Sequence, residues 1–401
     1  MHLLVINSGS SSIKFSIFAP GASSPRSLHE GEVTGIGSGH AAFRFHAAGK
    51  DTASTPIQAQ DPVAAIGQVV AAVTQPGIPA IDAVGYRVVH PGPELQHHTR
   101  ITDEVLRALD AAAIFAPLHD PPTVAIIRDT MARFPTIPHF ACFDTIFHHT
   151  MPETASAYPI PPEYRERGVR RYGFHGLSCE SIVATMREDS MPIPPRMVIA
   201  HLGSGCSVTA LIDGRSVDTT MGLTPTGGVV MGTRPGDLDP GLILYLLRQM
   251  KGDRTEAVNA VEHLLNHDSG IAALSGLPND MRSTRKAAAE GNSSAQLAIN
   301  VFTRSVRKAI GSFSWLMAGL DAIVFTGGIG EHDALTRFET LAHLDSLGIV
   351  IDRTLNDVQK SARHARLWKI SASQSKTTIY LIPAQEDWMI ARHVQDMLRE
   401  S

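Results

Sequence analysis

Two distant parts of the chain each place a turn of small polar residues between two apolar segments. The first is a Gly/Ser turn that carries one lysine, and its polar and glycine residues are Asn7, Gly9, Ser10, Ser12 and Lys14. The second lies in residues 197–208, where a gapless alignment puts Gly203 on Gly9 and Ser204 on Ser10. Backbone N–H groups and hydroxyls in such turns can donate to phosphoryl oxygens, and a lysine adds positive charge. The repeat predicts a duplicated fold with one phosphate-binding hairpin in each half, although the first copy alone could be an ordinary turn.

Two arginines occupy positions that restrict them. Arg87 lies within the apolar strand pattern 83–90, where burying an unpaired guanidinium would be costly. It would be satisfied either by a bound anion or by a structural ion pair. Arg234 lies in the loop 231–237, which contains glycines and a proline. A rigid loop that presents an arginine suits a phosphoryl group in transfer, and the alternative is an ordinary surface arginine.

Two carboxylates and two histidines complete the candidate residues. Asp144 and Glu386 follow apolar strand patterns and could hold Mg²⁺ at the mouth of a sheet; a helix cap or a solvated acid is the alternative for each. The 19 histidines include no H-E-x-x-H motif, so we expect no dedicated histidine metal site. His119 and His175 stand beside apolar residues, which by itself is typical of a hydrogen-bonded structural histidine.

The elements that would position these residues alternate between strands and helices. Helical patterns cover 62–74, 102–115, 122–134, 241–250, 254–265 and 294–316, and strand patterns cover 83–90, 136–143, 322–325 and 377–383. The strand at 322–325 runs into a glycine turn at 326–331, as in nucleotide sites, because glycine lets the backbone approach a ligand closely. We therefore predict a two-domain α/β protein with a boundary loop at 151–170. We expect the last helix, 384–399, to fold back onto the first domain.

The composition argues against several classes of protein. The chain has 401 residues, 43% hydrophobic content and a net charge of −4 without a basic face, so we expect no nucleic-acid partner. Cys142, Cys179 and Cys206 are too widely spaced for a disulfide framework or a zinc cage. No window reaches the roughly 20 apolar residues of a membrane span, and no signal peptide is recognisable. We therefore expect a soluble, cytoplasmic protein with no membrane partner.

Together, six motifs resemble the acetokinase family of the actin, hexokinase and Hsp70 ATPase superfamily. They are residues 7–14, 87–90, 142–148, 171–176, 231–240 and 326–331, so that the resemblance covers nearly the whole chain. The resemblance implies duplicated ribonuclease H-like α/β domains, with mixed β-sheets flanked by helices and a cleft between them. Residues 1–150 plus 384–401 would form an acyl-substrate and phosphate domain. Residues 151–383 would form a nucleotide-binding and dimerisation domain.

The resemblance also implies reversible transfer of a phosphoryl group from ATP to acetate, giving ADP and acetyl phosphate, by a homodimer that uses Mg²⁺ or Mn²⁺. The family's catalytic set corresponds to Arg87, His119, Asp144, His175 and Arg234. Its acyl-substrate contacts correspond to Arg87, Val89, Leu118, Phe174 and Pro225, and its metal ligands to Asn7 and Glu386. Its phosphate and nucleotide contacts correspond to Ser10, Ser12, Lys14, His201, Leu202, Gly203, Ser204, Gly205, Asp280, Met281, Arg282, Gly328, Ile329, Gly330, Glu331 and His332.

Physical chemistry constrains the role of Asp144. An acetate acceptor is already ionised at neutral pH, since carboxylic acids have a pKa near ~4, and the forward step needs no general base. Asp144 in this family is often described as a proton donor or acceptor. We expect it instead to organise Mg²⁺, its waters or a nearby arginine, so that Asp144→Asn would lose activity and change the Mg²⁺ dependence.

Some residues depart from the family pattern. Ser204 and His332 stand where the family commonly has Asn, which leaves the phosphoryl donor open. Thr226 and Gly227 replace a usual Leu-Glu pair, and Asp120 replaces a common Asn. Propionate or butyrate as acceptor stays an alternative, because one methylene changes discrimination by only about 1 to 3 kcal/mol. A non-catalytic, nucleotide-switched module of the same fold would need an extended partner-binding segment, and none is visible in the sequence.

Overall fold

Two β-sheets flanked by helices make up the computed structural model, which describes residues 1–9, 11–22, 24–50, 52–118, 120–357 and 366–400. The strands are β1 Leu3–Ser8, β2 Ser12–Ala19, β3 Arg26–Thr34, β4 Ala42–Ala47, β5 Thr55–Pro56, β6 Ala83–Val88, β7 Thr99–Arg100, β8 His139–Phe143, β9 Arg196–Leu202, β10 Cys206–Ile212, β11 Arg215–Thr219, β12 Ala322–Thr326, β13 Trp368–Lys369 and β14 Thr378–Leu381. The α-helices are α1 Pro62–Val73, α2 Asp103–Ala112, α3 Asp120–Arg133, α4 Glu153–Ser156, α5 Pro162–Glu166, α6 Gly176–Glu188, α7 Pro240–Gln249, α8 Arg254–His267, α9 Gly270–Ser275, α10 Met281–Ala289, α11 Ser293–Leu316, α12 Gly327–His332, α13 Ala334–Leu341, α14 Arg353–Asn356 and α15 Glu386–Glu400.

The same five-strand core occurs in both sheets. The first sheet has the order β5-β4-β3-β2-β1-β6-β8-β7, and the second has the order β11-β10-β9-β12-β14-β13. In each core three antiparallel strands, β3-β2-β1 or β11-β10-β9, are followed by two parallel ones. Since parallel neighbours need a crossover, helices lie between β1 and β6 and between β9 and β12. The duplication predicted from the two turns is confirmed by this strand order.

The two hairpins differ by one residue in the length of their turns. In the first hairpin Ser8 pairs with Ile13, and in the second Leu202 pairs with Cys206. Lys14 therefore lies on strand β2, opposite Asn7, and not in the turn where the sequence pattern had placed it. The sequence pattern was wrong here because alternating apolar residues, not the serines, determine where β2 begins.

Helix α15 packs against the first sheet through Met389, Ile390 and Val394, in one cluster with Leu3 and Val5. Gly85 makes this approach possible, because a Cβ there would lie 2.7 Å from Val394 Cγ2. The last helix thus returns to the N-terminal sheet, as expected. The domain limits themselves, 150 and 384, stay predictions.

Helix α6 was not predicted from the sequence. Most of its residues are buried, because one side contacts the cluster under α15 and the other contacts β9 and β12. A helix covered on both sides lacks the polar stripe that gives a 3.6-residue period. The expected loop 151–170 contains the short helices α4 and α5. Among the described residues, no helix combines the length and the apolar character needed to cross a bilayer.

Candidate active site

A cleft of about 1360 Å³ lies between the two hairpins. Its walls include strands β1 and β2 of the first hairpin, the turn of the second hairpin, the glycine-rich helix α12 and the start of α15. The predicted site residues that line it are Asn7, Lys14, Arg87, His175, His201, Gly203, Ser204, Gly205, Gly328, Glu331, His332 and Glu386. The structure therefore brings together residues from both halves of the chain, as the paired hairpins predicted.

Arg87 is held by a buried carboxylate at the end of the neighbouring strand. Its Nη2 donates to Oδ2 of Asp144 at 2.6 Å, and its Nε lies 3.9 Å from Oε2 of Glu386. Burial alone would lower the pKa of Arg87, but the charges of Asp144 and Glu386 raise it above its usual value. The guanidinium is thus permanently charged. Its Nε is buried and has no hydrogen-bond acceptor among the described residues, and the carboxylate of Glu386 lies just beyond hydrogen-bond distance.

The same carboxylate positions His175 at the start of α6. The backbone N of His175 donates to Oδ2 of Asp144 at 3.2 Å, and the backbone N of Gly176 donates to the Asp144 carbonyl. His175 adopts the left-handed region, with φ 66°, which a non-glycine residue enters only at an energetic cost. A Cβ at Gly176 would lie 2.3 Å from the Asp144 carbonyl oxygen. The local backbone therefore requires this glycine and aims the imidazole into the cleft.

Two imidazole rings stack in the cleft. The rings of His175 and His201 lie 4.1 Å apart at an angle of 12°. Nδ1 of His175 lies 2.9 Å from Oγ of Ser207, and Nδ1 of His201 lies 2.8 Å from Oγ of Ser178. Burial, followed by the charges of His201 and Arg87, lowers the pKa of His175 well below 6.5, and burial also lowers the pKa of His201. Both rings are neutral at pH 7, so each can act as a hydrogen-bond donor or acceptor without adding charge.

Arg234 approaches the site from a loop held by backbone hydrogen bonds. The backbone N of Met231 donates to the Arg234 carbonyl, and that of Ile271 donates to the Met231 carbonyl. Nη1 of Arg234 donates to the carbonyl of Pro225 at 2.7 Å. A Cβ at Gly205 would lie 3.4 Å from Nε2 of His175 and 3.5 Å from Nη1 of Arg234. The turn of the second hairpin thus passes close beside both side chains.

On the opposite wall, two adjacent carboxylates begin α15. Nδ2 of Asn7 donates to Oε2 of Glu386 and to Oδ1 of Asp387, both at 3.0 Å. Oγ of Ser16 donates to Oδ2 of Asp387 at 2.9 Å. Burial alone would raise the pKa of Glu386, but the charge of Arg87 and other neighbours outweigh it, so that the pKa of Glu386 is lowered. For Asp387 burial prevails, and its pKa is raised. Sequence reasoning missed Asp387, although its place next to Glu386 was a usable signal.

This carboxylate pair fits a hard divalent cation. Glu386, Asp387 and the amide oxygen of Asn7 are the oxygen donors that Mg²⁺ prefers, and all three residues line the cleft. Two carboxylates side by side repel each other, and a cation between them would relieve that repulsion.

The glycine-rich turn is anchored from both ends. Oε1 of Glu331 accepts from the backbone N of Gly327 at 2.9 Å and from that of Ala384 at 3.0 Å. Arg337 is fully buried and donates from Nη1 to the carbonyls of Gly330 and Glu331. Burial lowers the pKa of Arg337 to about 10. These contacts hold α12 in place beside the cleft, and Arg337 was not recognised in the sequence.

Other predicted residues lie away from the cleft walls. Asp280 caps α10, with its carboxylate accepting from the backbone N of Arg282 and Ser283. Val89, Phe174 and Pro225 are buried, whereas Leu118 is 36% exposed. The described residues that line the cleft do not include Ser12, Asp144, Leu202, Arg234, Met281, Ile329 or Gly330. Ser10 and His119 lie outside the described residues. The acyl pocket and the adenine-side contacts stay predictions.

A second group of titratable residues lies where α6 meets α15. Nε2 of His393 lies 2.9 Å from Oε2 of Glu180, and the rings of His393 and His98 are 4.0 Å apart. Nδ1 of His98 accepts from the backbone N of Phe143 at 3.0 Å. The neutral ring therefore carries its proton on Nε2, the atom that a metal would need. We interpret the group as a hydrogen-bonded structural contact.

Comparison with known proteins agrees with this geometry. The model of the acetokinase family matches residues 2–392. The chain belongs to the acetokinase family. It is 39% identical to an acetate kinase of Natranaerobius thermophilus, over 99% of this chain and 100% of that protein.

Solved acetokinase structures have the same fold. The chain superposes on a propionate kinase from Francisella tularensis with a TM-score of 0.88 at 34% identity, covering 98% of this chain and 99% of that one. An acetate kinase from Porphyromonas gingivalis gives a TM-score of 0.84 at 30% identity, with 99% of each chain covered. Both neighbours phosphorylate short carboxylic acids, as their names state. The two-sheet α/β fold of the acetokinases is therefore the fold of this chain.

Proposed function

We propose that this protein transfers the γ-phosphoryl group of ATP to acetate, forming acetyl phosphate and ADP, and catalyses the reverse reaction. The observation that carries the proposal is the cleft itself. Arg87, Arg234 and His175 approach it from three segments, and the Nε donor of Arg87 is buried without an acceptor. Both the acceptor carboxylate and the phosphoryl group are anionic, so the site must chiefly offset repulsion and hold the groups in line.

The chain's own residues divide this task. Arg87 binds an oxygen of the acyl substrate through the exposed part of its guanidinium, while Asp144 holds the group in place. Arg234, whose backbone is held in a rigid loop, stabilises negative charge on the phosphoryl group in transfer. His175 is neutral and contributes a hydrogen bond from beside Arg234. No side chain has to remove a proton, because the attacking carboxylate is already ionised.

Mg²⁺ is the cation that we propose for the oxygen donors of Asn7, Glu386 and Asp387. When bound, it would neutralise charge on the phosphate oxygens of the nucleotide. Lys14 lies on the strand next to Asn7 and supplies a further positive charge on that side of the cleft. Asp144 is fully buried against Arg87 and the start of α6, so we assign it to the arginine and not to the cation.

Propionate is the second candidate acceptor, favoured by the similarity to the Francisella propionate kinase. The two acids differ by one methylene. A difference of this size changes affinity in an apolar pocket by only about 1 to 3 kcal/mol.

We further propose a homodimer in the cytoplasm. Helix α7 has apolar residues along most of its length, yet none of them is buried, and Leu244 and Tyr245 are 52% and 57% exposed. An apolar helix of this kind is typical of a subunit interface. Cys142, Cys179 and Cys206 are free thiols, in keeping with a reducing compartment. In the dimer, residues 151–383 would form the contacts, and residues 1–150 with 384–401 would close over the substrates.

The test is a direct assay of acyl phosphate. The protein is incubated with ATP, Mg²⁺ and acetate, propionate or butyrate, and the product is trapped with hydroxylamine. We expect hydroxamate from acetate with the highest kcat/KM. A higher kcat/KM with propionate would reassign the acceptor, and no hydroxamate with any of the three acids would refute the proposal. Replacing ATP by GTP or pyrophosphate would identify the phosphoryl donor that Ser204 and His332 allow.

A further inference from the structure

An amide side chain lies against the turn of the second hairpin. Nδ2 of Asn279 donates to Oγ of Ser204 at 3.0 Å. The backbone of Ser204 is held in turn, because its carbonyl accepts from the backbone N of Gly232 at 3.1 Å. Three segments therefore meet at this point: the hairpin turn, the loop that carries Arg234, and the residues that precede α10.

The contact depends on a glycine in the arginine loop. A Cβ at Gly232 would lie 2.1 Å from Oδ1 of Asn279, closer than any real contact. The next residue, Asp280, caps α10 with its carboxylate, which restrains the backbone beside Asn279. The side chain of Asn279 is thus placed by its surroundings, although it is exposed to solvent.

We propose that Asn279 is a positioning residue for the phosphoryl donor and supplies, through Ser204, the amide that this hairpin otherwise lacks. The proposal rests on the kinase function proposed above. The turn at 203–205 contains no amide side chain of its own, and its serine is joined to an asparagine from another segment. The amide group at this turn therefore comes from outside the hairpin.

The hydrogen-bonding capacity of the pair supports this role. The Nδ2 group of Asn279 has two hydrogens, and Oγ of Ser204 takes one of them. The second N–H of Asn279 and the O–H of Ser204 then remain for the oxygens of an anion. Ser204 lines the cleft beside Gly203 and Gly205, where phosphates of the donor would lie. Two neutral donors in this position would orient the phosphates without changing the charge of the site.

The experiment compares Asn279→Ala, Ser204→Asn and the exchange variant Ser204→Asn/Asn279→Ser. For Asn279→Ala we expect the KM for ATP to rise about ten-fold, because the variant loses a hydrogen bond to a charged group. We expect kcat and the KM for acetate to stay within about two-fold of the parent values. In the exchange variant we expect the KM for ATP to return to within about two-fold of the parent value. Asn300→Ala, on the exposed side of α11, is the matched control and should change neither constant.

Two results would overturn the inference. One is a KM for ATP in Asn279→Ala equal to that of the parent. The other is an exchange variant no better than Asn279→Ala, since a purely structural role would not be rescued by moving the amide. Thermal unfolding of every variant separates misfolding from weaker binding. If the parent forms no acyl phosphate, the kinase proposal fails, and calorimetric titration with ADP still tests Asn279 by the same ten-fold criterion.

Discussion

Asp144 and Arg87 form a buried pair in which Oδ2 and Nη2 lie 2.6 Å apart. The same carboxylate accepts from the backbone of His175, so a single side chain orients two of the groups proposed to contact the substrates. In a buried pair the removal of one charge leaves the other uncompensated, which makes the pair sensitive to substitution. The pair also explains why an acid is required here even though the chemistry needs no base.

The first prediction concerns Asp144→Asn. The amide keeps the shape but removes the charge that holds Arg87, and we expect kcat to fall by roughly a hundred-fold, as for loss of one preorganised catalytic group. We expect the KM for acetate to rise, while the Mg²⁺ concentration for half-maximal activity stays within about two-fold. Steady-state kinetics with varied Mg²⁺ checks this. The sequence alone predicts a changed Mg²⁺ dependence, and a large change in the Mg²⁺ requirement would assign Asp144 to the metal.

The second prediction concerns Arg234→Ala. The variant loses one charged donor in a rigid position, and the barrier should rise by about 3 to 4 kcal/mol. The measurement is kcat for hydroxamate formation at saturating substrates. Arg304→Ala, on the exposed face of α11, serves as the control and should retain its rate. Near-full turnover by Arg234→Ala would be incompatible with the proposed mechanism.

The third prediction uses Asp120, which stands where the family commonly has Asn. Burial raises its pKa to about 8, and Oδ2 has no partner among the described residues. Between its unfolded pKa near ~4 and about 8, the folded state therefore binds more protons than the unfolded state, and stability falls by about 1.4 kcal/mol per pH unit as the pH rises. Asp120→Asn removes this dependence. The free energy of unfolding of the variant minus that of the parent protein should therefore grow from pH 5 to pH 8.

Urea denaturation at three pH values tests this prediction. Asp103→Asn, at the exposed start of α2, is the control and should give the same difference at each pH. If the free energies of unfolding of Asp120→Asn and of the parent protein change with pH in parallel, Asp120 is ionised in the folded state.

The fourth prediction concerns Arg337→Met. The variant would leave the carbonyls of Gly330 and Glu331, together with the contacts to Asn356, without their donor. We expect a loss of roughly 3 kcal/mol or more in the free energy of unfolding, since each unsatisfied buried acceptor costs about 1 to 3 kcal/mol. The KM for ATP should rise as well, because α12 lines the nucleotide side of the cleft. Arg304→Met, at an exposed position on α11, should leave both quantities unchanged.

The fifth prediction concerns the exposed apolar helix α7. Leu244→Glu would place a charge in the proposed subunit interface and should convert the dimer into monomers. Light scattering during gel filtration measures this directly. Leu335→Glu, at a similarly exposed position on α13, is the control. A parent protein that is already monomeric, or a variant that stays dimeric, would exclude this interface.

The sequence allowed the duplicated α/β fold to be predicted because both hairpins keep their apolar strands and glycine turns. It did not reveal α6, which is buried on two sides and therefore lacks periodicity. Arg87 and Arg234 were recognisable from local patterns alone. Arg337 and Asn279 were not, because their roles depend on contacts with residues distant in the chain, whereas Asp387 could have been recognised from its place next to Glu386. Long-range hydrogen bonds of this kind leave no signal in spacing.

The extra residue in the first turn has a consequence for tracing the ancestry of the two halves. Side chains along a strand alternate between the two faces of the sheet. An alignment of β2 with β10 without a gap puts Lys14 on Val208, and it therefore sets polar positions against apolar ones. One gap restores the alternation. Lys14 then aligns with Ser207, and Asn7 aligns with His201, so that the pair Asn7–Lys14 corresponds to the pair His201–Ser207. The sequence similarity between the two halves is therefore weak at the positions where the two copies differ in charge. One half carries a lysine beside its carboxylates, and the other carries a serine that holds an uncharged imidazole.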